Sequence, residues 1–323
     1  MTPTIDDIRM AAKRIAAEAI RTPLISSPAL DEITGGRIYL KCENLQRTGS
    51  FKFRGAFNAI ASLSEAERAH GIVASSSGNH AQGIAEAARL FGVPATIVMP
   101  GDAPAAKREG TRQRGASIVA YDRASDDRDA ITASIVAETG AELIHAYNDG
   151  RVIAGQGTIG LEIAEDLAKR GEHADIVVVP CGGGGMSAGI GLAIAAESPN
   201  TQVFLAEPAG FDDYARSLAS GSIQRNPRTD GSICDALMAP QPGAIGFAIN
   251  RATGARAVAV SDIDAMAAVA FAFRTLKLVV EPGGAAALAS LLSGRIDARG
   301  KTVVILLSGG NIDPDVLERA LAA

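Results

Sequence analysis

Lys52 stands between two phenylalanines in the run Ser50-Phe51-Lys52-Phe53-Arg54-Gly55-Ala56. A lysine desolvated by aromatic neighbours has a depressed pKa and can act as an amine nucleophile or form a Schiff base; equally, a lysine stem can pack on apolar surface and carry its head to water. Ser75-Ser76-Ser77-Gly78-Asn79-His80 lies between a β-rich run and a helical one. Small hydroxyls and free amides at a helix N-terminus suit a carboxylate or phosphate, and the same composition also makes an ordinary serine cap. Cys181-Gly182-Gly183-Gly184-Gly185-Met186 has the same setting. Four successive glycines cost more backbone entropy than a tight turn warrants, so amides curling round a phosphate are the stronger reading. Leu307-Ser308-Gly309-Gly310-Asn311 could aim the Ser308 hydroxyl into a cleft or be a plain Gly-Gly turn, and Ala154-Gly155-Gln156-Gly157-Thr158 and Glu281-Pro282-Gly283-Gly284 add two more glycine loops.

A lysine amine, an anion pocket, a phosphate cup and a ring-facing hydroxyl together fit pyridoxal 5′-phosphate. One rival reading uses the same glycines. Gly183-x-Gly185-x-x-Ala188, with Glu207 about 20 residues on, satisfies the dinucleotide fingerprint of an NAD-dependent oxidoreductase. It leaves Lys52 and the other glycine loops without a role.

The elements that must position these residues alternate. Strands are predicted over 38–43, 71–75, 95–99, 117–120, 175–180, 202–207, 257–260 and 302–307, and helices over 53–63, 81–91, 105–113, 128–139, 157–170, 186–197, 262–276 and 284–292. Such alternation predicts an α/β protein with two open, mostly parallel twisted sheets and helices on both faces. The block from about Gly71 to Asn148 reads as a compact run of strand–helix pairs, which sets a small domain over 71–148 and a large one over 1–70 and 149–323. Ligands of open α/β sheets bind beyond the carboxyl ends of strands, where the four loops fall.

The chain has 323 residues, 47% hydrophobic and 21% charged, with net charge −5 and no basic block. That argues for a soluble two-domain protein and against a nucleic-acid partner. Three cysteines without a CxxC pair fit a reducing cytoplasm. The first nineteen residues carry six charges, unlike a signal peptide, and the uncharged run Ile176 to Ala196 is broken by Pro180 and glycines, so no membrane span is expected.

Lys41-Cys42-Glu43-Asn44-Leu45-Gln46-x-Thr48-Gly49-Ser50-Phe51-Lys52-Phe53-Arg54-Gly55-Ala56, with Ser77-Gly78-Asn79-His80-Ala81-Gln82-Gly83, Gly182 to Gly185 and Ser308-Gly309-Gly310-Asn311, resembles the serine/threonine dehydratase family over essentially the whole chain. The resemblance implies fold type II of the pyridoxal-phosphate enzymes, with Lys52 as the Schiff-base lysine and Phe51 packed on the cofactor ring. Asn79 would bond the ring hydroxyl, Gly182, Gly183, Gly184, Gly185 and Met186 would hold the phosphate, and Ser308 would face the pyridine nitrogen. A hydroxyl there supports a pyridinium poorly, which favours prompt β-elimination. Glu207-Pro208-x-x-Phe211-Asp212-Asp213 looks like the divalent-cation site of some members, the two carboxylates and the Phe211 carbonyl being hard ligands for Mg²⁺ or Ca²⁺; otherwise these are two surface acids near a helix start.

The function implied is a threonine/serine ammonia-lyase, a homodimer with a small amino acid as its substrate. Ser76, Ser77, Asn79 and His80 would hold the substrate carboxylate. Serine at Ser77, where many threonine dehydratases have alanine, is typical of the serine racemase and threo-3-hydroxyaspartate branch and could exchange a proton on the face opposite Lys52. Ile233-Cys234-Asp235-Ala236-Leu237 departs from the racemase pattern. Arg128, in Asp126-Asp127-Arg128, could approach a second substrate carboxylate, against the plainer reading of a solvated helix-start charge. The regulatory C-terminal extension of biosynthetic threonine dehydratases does not follow Ser308, so feedback inhibition through one is not expected.

Overall fold

The computed structural model describes residues 1–103 and 105–322. Ten strands are present among them: β1 Leu24–Ser26, β2 Arg37–Cys42, β3 Ile72–Ser75, β4 Ala95–Pro100, β5 Ser117–Tyr121, β6 Glu142–Leu143, β7 Ile176–Pro180, β8 Gln202–Pro208, β9 Arg256–Val260 and β10 Thr302–Leu307. They form a six-stranded sheet in the order β1-β2-β10-β7-β8-β9 and a four-stranded sheet in the order β5-β4-β3-β6. Every pairing is parallel except β1 with β2, whose register sets Ile25 opposite Leu40. The centre of the larger sheet is apolar throughout because helices cover both its faces; Val177, Val178, Val304 and Ile305 are fully buried.

The glycines read as a loop at 154–158 lie inside a helix, Gly150–Ala168, which begins seven residues before the expected start and is capped by Asp149. Their reason is helix-to-helix contact. A Cβ on Gly155 would meet the Arg54 carbonyl oxygen at 2.7 Å, and one on Gly189, in the helix Gly185–Glu197, would meet the Ile153 carbonyl oxygen at 2.3 Å. Glu281-Pro282-Gly283-Gly284 is likewise a helix start, with Pro282 at its first position and Gly284 pressed on Gly309. The helix expected over 262–276 is regular to Phe271, passes through a π-turn at Ala272–Leu276 and stops at Lys277, where φ is 60°. Two strands absent from the expectation, β1 and β6, are three and two residues long, too short for a period.

A buried ionic cluster fixes the helix that carries Lys52. Arg54 on Lys52–Ala61 meets Glu43 at 2.8 Å and Glu162 at 2.7 Å, and Lys41 of β2 reaches Glu162 at 2.5 Å. Lys41 and Glu43 are fully buried and Arg54 is 1% exposed. Burial pushes the Glu43 carboxyl up, but the Arg54 guanidinium outweighs it and leaves Glu43 below the usual carboxylate range. Among the described residues no helix is long and apolar enough to cross a membrane, and the uncharged run at 176–196 divides into β7 and the following helix.

Candidate active site

A cavity of about 410 Å³ opens between the two sheets at the carboxyl ends of β3, β7 and β10. Its wall brings together Phe51, Lys52, Ser76, Ser77, Asn79, His80, Gly182, Gly183, Gly184, Gly185, Met186 and Ser308, residues from four loops spread over the chain. All the site residues expected for cofactor and substrate therefore share one space.

Lys52 opens its helix, and burial pushes its amine down to about 8. Its Nζ donates to the Ala146 carbonyl at 2.8 Å and lies 5.2 Å from the centre of the Phe51 ring. Only one of the flanking phenylalanines serves this environment: Phe53 is fully buried and packs on Phe57. Phe51 is held beside the cleft by its amide, which donates to the Ser308 carbonyl at 3.1 Å.

The glycine loop is built to leave amides free. The Gly183 carbonyl accepts from the Gly243 amide at 3.0 Å and the Gly184 carbonyl from the Ser187 hydroxyl at 3.0 Å, whereas no amide from Gly182 to Ser187 donates to any of the described residues. Gly184 has φ 82° and caps the helix Gly185–Glu197. Six amides without a partner among the described residues, those of Gly185 to Ser187 in the first turn of the helix, fit a phosphate dianion. Each glycine also has a packing reason that the composition did not reveal. A Cβ on Gly183 would enter the Tyr147 ring, one on Gly184 the Tyr214 hydroxyl, one on Gly182 the Leu237 backbone and one on Gly185 the Tyr147 carbonyl.

In the second loop the Ser76 hydroxyl accepts from the Gly78 amide at 3.1 Å, and the helix Asn79–Phe91 begins directly after it. Ser77 is half-buried in the cavity wall. The His80 ring is directed elsewhere: its Nε2 lies 3.1 Å from the Ile144 carbonyl, and burial followed by the nearby Lys52 charge pushes its pKa down to about 3. A neutral ring bound to Ile144 leaves only the His80 amide for a substrate carboxylate. Asn79 is fixed at both ends, its Nδ2 donating to Glu281 at 2.5 Å and its Oδ1 accepting from Asn311 at 2.8 Å. One N–H of that amide remains for a ring oxygen. Ser308 is 5% exposed and lines the same cavity.

Glu207 and Asp213 are both fully buried, and Phe211 is 1% exposed. Glu207 accepts from the amides of Tyr214 at 2.8 Å and Ala215 at 2.9 Å, so its carboxylate caps the helix Asp213–Ser220. That removes it from any ribose hydroxyl and takes the anchor from the dinucleotide reading. Asp213 accepts from Asn226 at 2.6 Å, and its Oδ2 is buried without a partner. Burial raises both carboxyls, Asp213 to about 6. Among the described residues no cluster of three or more His, Cys, Asp or Glu stands ready for a metal. An orphaned acid oxygen beside a second buried acid nevertheless fits a small hard cation. Tyr214 touches both places, its amide on Glu207 and its hydroxyl 3.5 Å from the Gly183 carbonyl.

Sequence reasoning missed part of the wall: Lys107, His145, Tyr147, Asp235 and Glu281 also line the cavity. The tyrosine and histidine follow the short β6, and no spacing marked them. Arg128, weighed between a solvated helix start and an approach to a second substrate carboxylate, is exposed at the start of its helix, lies 2.9 Å from Asp129 through Nε and also lines this cavity.

The family model described as pyridoxal-phosphate dependent enzyme matches residues 15–309. The L-threonine ammonia-lyase of Thermotoga maritima is 42% identical over 320 residues, 98% of this chain and 78% of that one. The L-threo-3-hydroxyaspartate ammonia-lyase of a Pseudomonas species is 45% identical over 307 residues, 95% of each chain. The structure of maize serine racemase superposes with a TM-score of 0.93 at 37% identity, covering 100% of this chain and 98% of that one. With a desolvated lysine and a cup of free amides in one cavity, and this likeness along its whole length, the chain belongs to the pyridoxal-phosphate-dependent enzymes, of the ammonia-lyase type.

Proposed function

We propose that the chain is a threonine/serine ammonia-lyase, removing water from L-threonine or L-serine to give 2-oxobutanoate or pyruvate plus ammonium. The observation that carries this reading is the Lys52 amine, held at about 8 inside the cavity that the hydroxyl and glycine loops enclose. Pyridoxal phosphate bound here supplies an electron sink for the pair left on the substrate α-carbon. Lys52 would hold it through Nζ, and the same amine would take the substrate α-proton as general base. The amides of Gly182 to Met186 hold the phosphate, Asn79 and Ser308 orient the ring, and Phe51 packs against it. Ser76, Ser77 and the amides of Asn79 and His80 bind the substrate carboxylate, and Ser77 stands as the proton donor for any racemisation. Glu207, Asp213 and the Phe211 carbonyl hold Mg²⁺ or Ca²⁺. We take residues 71–148 as a small domain and the rest as a large one, in a cytoplasmic homodimer.

A second reading is favoured by Arg128. A guanidinium in the cavity wall suits a carboxylate on the substrate β-carbon, as in threo-3-hydroxyaspartate, the substrate named for the Pseudomonas relative. Keto-acid and D-serine assays with L-threonine, L-serine and L-threo-3-hydroxyaspartate decide. Threonine turned over with the highest kcat/KM supports the first reading. Oxaloacetate from hydroxyaspartate as the dominant product, lost roughly 100-fold in Arg128→Met while threonine turnover survives, replaces it with the second. D-Serine without keto acid overturns both in favour of a racemase.

A further inference from the structure

Lys107 belongs to the helix Ala105–Gln113, which follows β4 in the four-stranded unit. It is 5% exposed, a burial that lysine accepts only with partners. Both partners lie on the six-stranded side of the cavity. Its Nζ is 2.5 Å from Asp235 Oδ2 and 3.7 Å from Glu281 Oε2. Asp235 opens the 3₁₀ turn Asp235–Leu237, whose Leu237 backbone abuts Gly182 of the glycine loop. Glu281 precedes the helix Pro282–Leu292 and accepts from the Asn79 amide through its other oxygen.

The lysine stem crosses the substrate loop on its way: a Cβ on Gly78 would stand 2.7 Å from Lys107 Cδ. Burial raises the Glu281 carboxyl to about 7 and the facing Lys107 charge opposes that rise, favouring the ionised form, which only accepts hydrogen bonds; Asn79 accordingly gives its nitrogen to Glu281 and its oxygen to Asn311. The second N–H has no partner among the described residues, and Asn79 lies in the cavity wall. Gly309 is needed to admit this arrangement, because a Cβ there would lie 2.2 Å from Glu281 Oε1.

We propose that Lys107 is a positioning residue: it ties the four-stranded unit to the six-stranded one across the cavity through Asp235 and, by facing Glu281, fixes the Asn79 amide with its donor toward the cofactor ring. This rests on the cofactor and substrate sites assigned above, but not on which amino acid is consumed.

The test uses holoenzyme with Lys107→Met, Asp235→Asn, the double variant, Lys107→Arg and Glu281→Gln. Amide hydrogen exchange over 76–80 and 105–113 should quicken in Lys107→Met and Asp235→Asn, and the visible band of bound cofactor should shift in Lys107→Met and Glu281→Gln. Both readouts hold even if L-threonine is not the substrate, so a wrong substrate is distinguishable from a wrong role for Lys107. With L-threonine, KM should rise roughly 10-fold in Lys107→Met with a smaller change in kcat, the double variant should be no worse, and Lys107→Arg should recover most of the loss. Unchanged exchange and an unshifted band overturn the proposal, as do losses that multiply in the double variant. Should Lys107→Met not fold, Asp235→Asn and Lys107→Arg carry the same comparison.

Discussion

An amine held at about 8 changes the pH at which Lys52 becomes reactive. Cofactor capture needs the neutral amine, so the rate at which cofactor-free protein takes up pyridoxal phosphate should climb with pH and level off a little above 8. An ordinary lysine would keep climbing toward about 10. Stopped-flow absorbance over that range checks this, and a rate still rising at about pH 10 would refute the desolvated amine. Lys52→Ala should abolish turnover. At this scale much of the site was legible, because Lys52, Ser76, Ser77, Asn79, Gly182 to Gly185 and Ser308 each sit in a loop of marked composition just after a strand or at a helix start. Lys107 and Glu281 were not. Their contacts, Lys107 to Asp235 and Asn79 to Glu281, span 128 and 202 residues, and no local pattern records such a meeting.

Among the elements, the helices Gly150–Ala168 and Gly185–Glu197 cross with almost no side chain between them. A Cβ on Gly189 would lie 2.3 Å from the Ile153 oxygen and 2.6 Å from the Gly157 nitrogen, both backbone atoms that cannot turn aside. Gly189→Ala should therefore destabilise by about 3 kcal/mol, despite alanine's better helix propensity. A thermal melt lowered by several degrees supports the contact, and an unchanged or raised melting temperature removes it. The same feature explains why Gly155 and Gly157 were read as a loop. Glycine marks a chain break and a close helix crossing alike, and only the partner helix tells them apart. Strand ends were read to within a residue or so, since uninterrupted apolar runs between glycine-rich loops define them closely.

For the whole molecule, the alternation of strand and helix gave two parallel sheets correctly, while the antiparallel β1 at the edge was too short to register. The stability of the whole should carry the signature of two buried acids. Asp213 is raised to about 6 by burial, with Asn226 and Arg216 opposing and Asp212 adding repulsion, and its charge in turn helps burial to raise Glu207. A carboxyl raised on folding favours the native state while protonated, fully so below about pH 4, and that contribution is lost as pH climbs through about 6. Cation-free protein should thus melt lower at about pH 8 than at about pH 5 through this pair, and excess Mg²⁺ or Ca²⁺ should restore the difference mainly at the higher pH. Asp213→Asn should remove both the pH trend and the cation response. A cation effect of equal size at both pH values, or in the variant, would refute the assignment of these acids.

Tyr214 stands with its amide on Glu207 and its hydroxyl near the Gly183 carbonyl, so the acid pair and the phosphate cup share one rigid side chain. Linkage makes such sharing reciprocal. Under the proposed cation assignment, whatever order the cation imposes on the acids is passed to the cup, and whatever order a phosphate imposes on the cup is returned to the acids. Pyridoxal phosphate should accordingly bind more tightly when Mg²⁺ is saturating, and Mg²⁺ more tightly, by the same factor, when pyridoxal phosphate is bound. Tyr214→Phe, which keeps the ring and loses the hydroxyl, should bring that factor toward one in paired titrations.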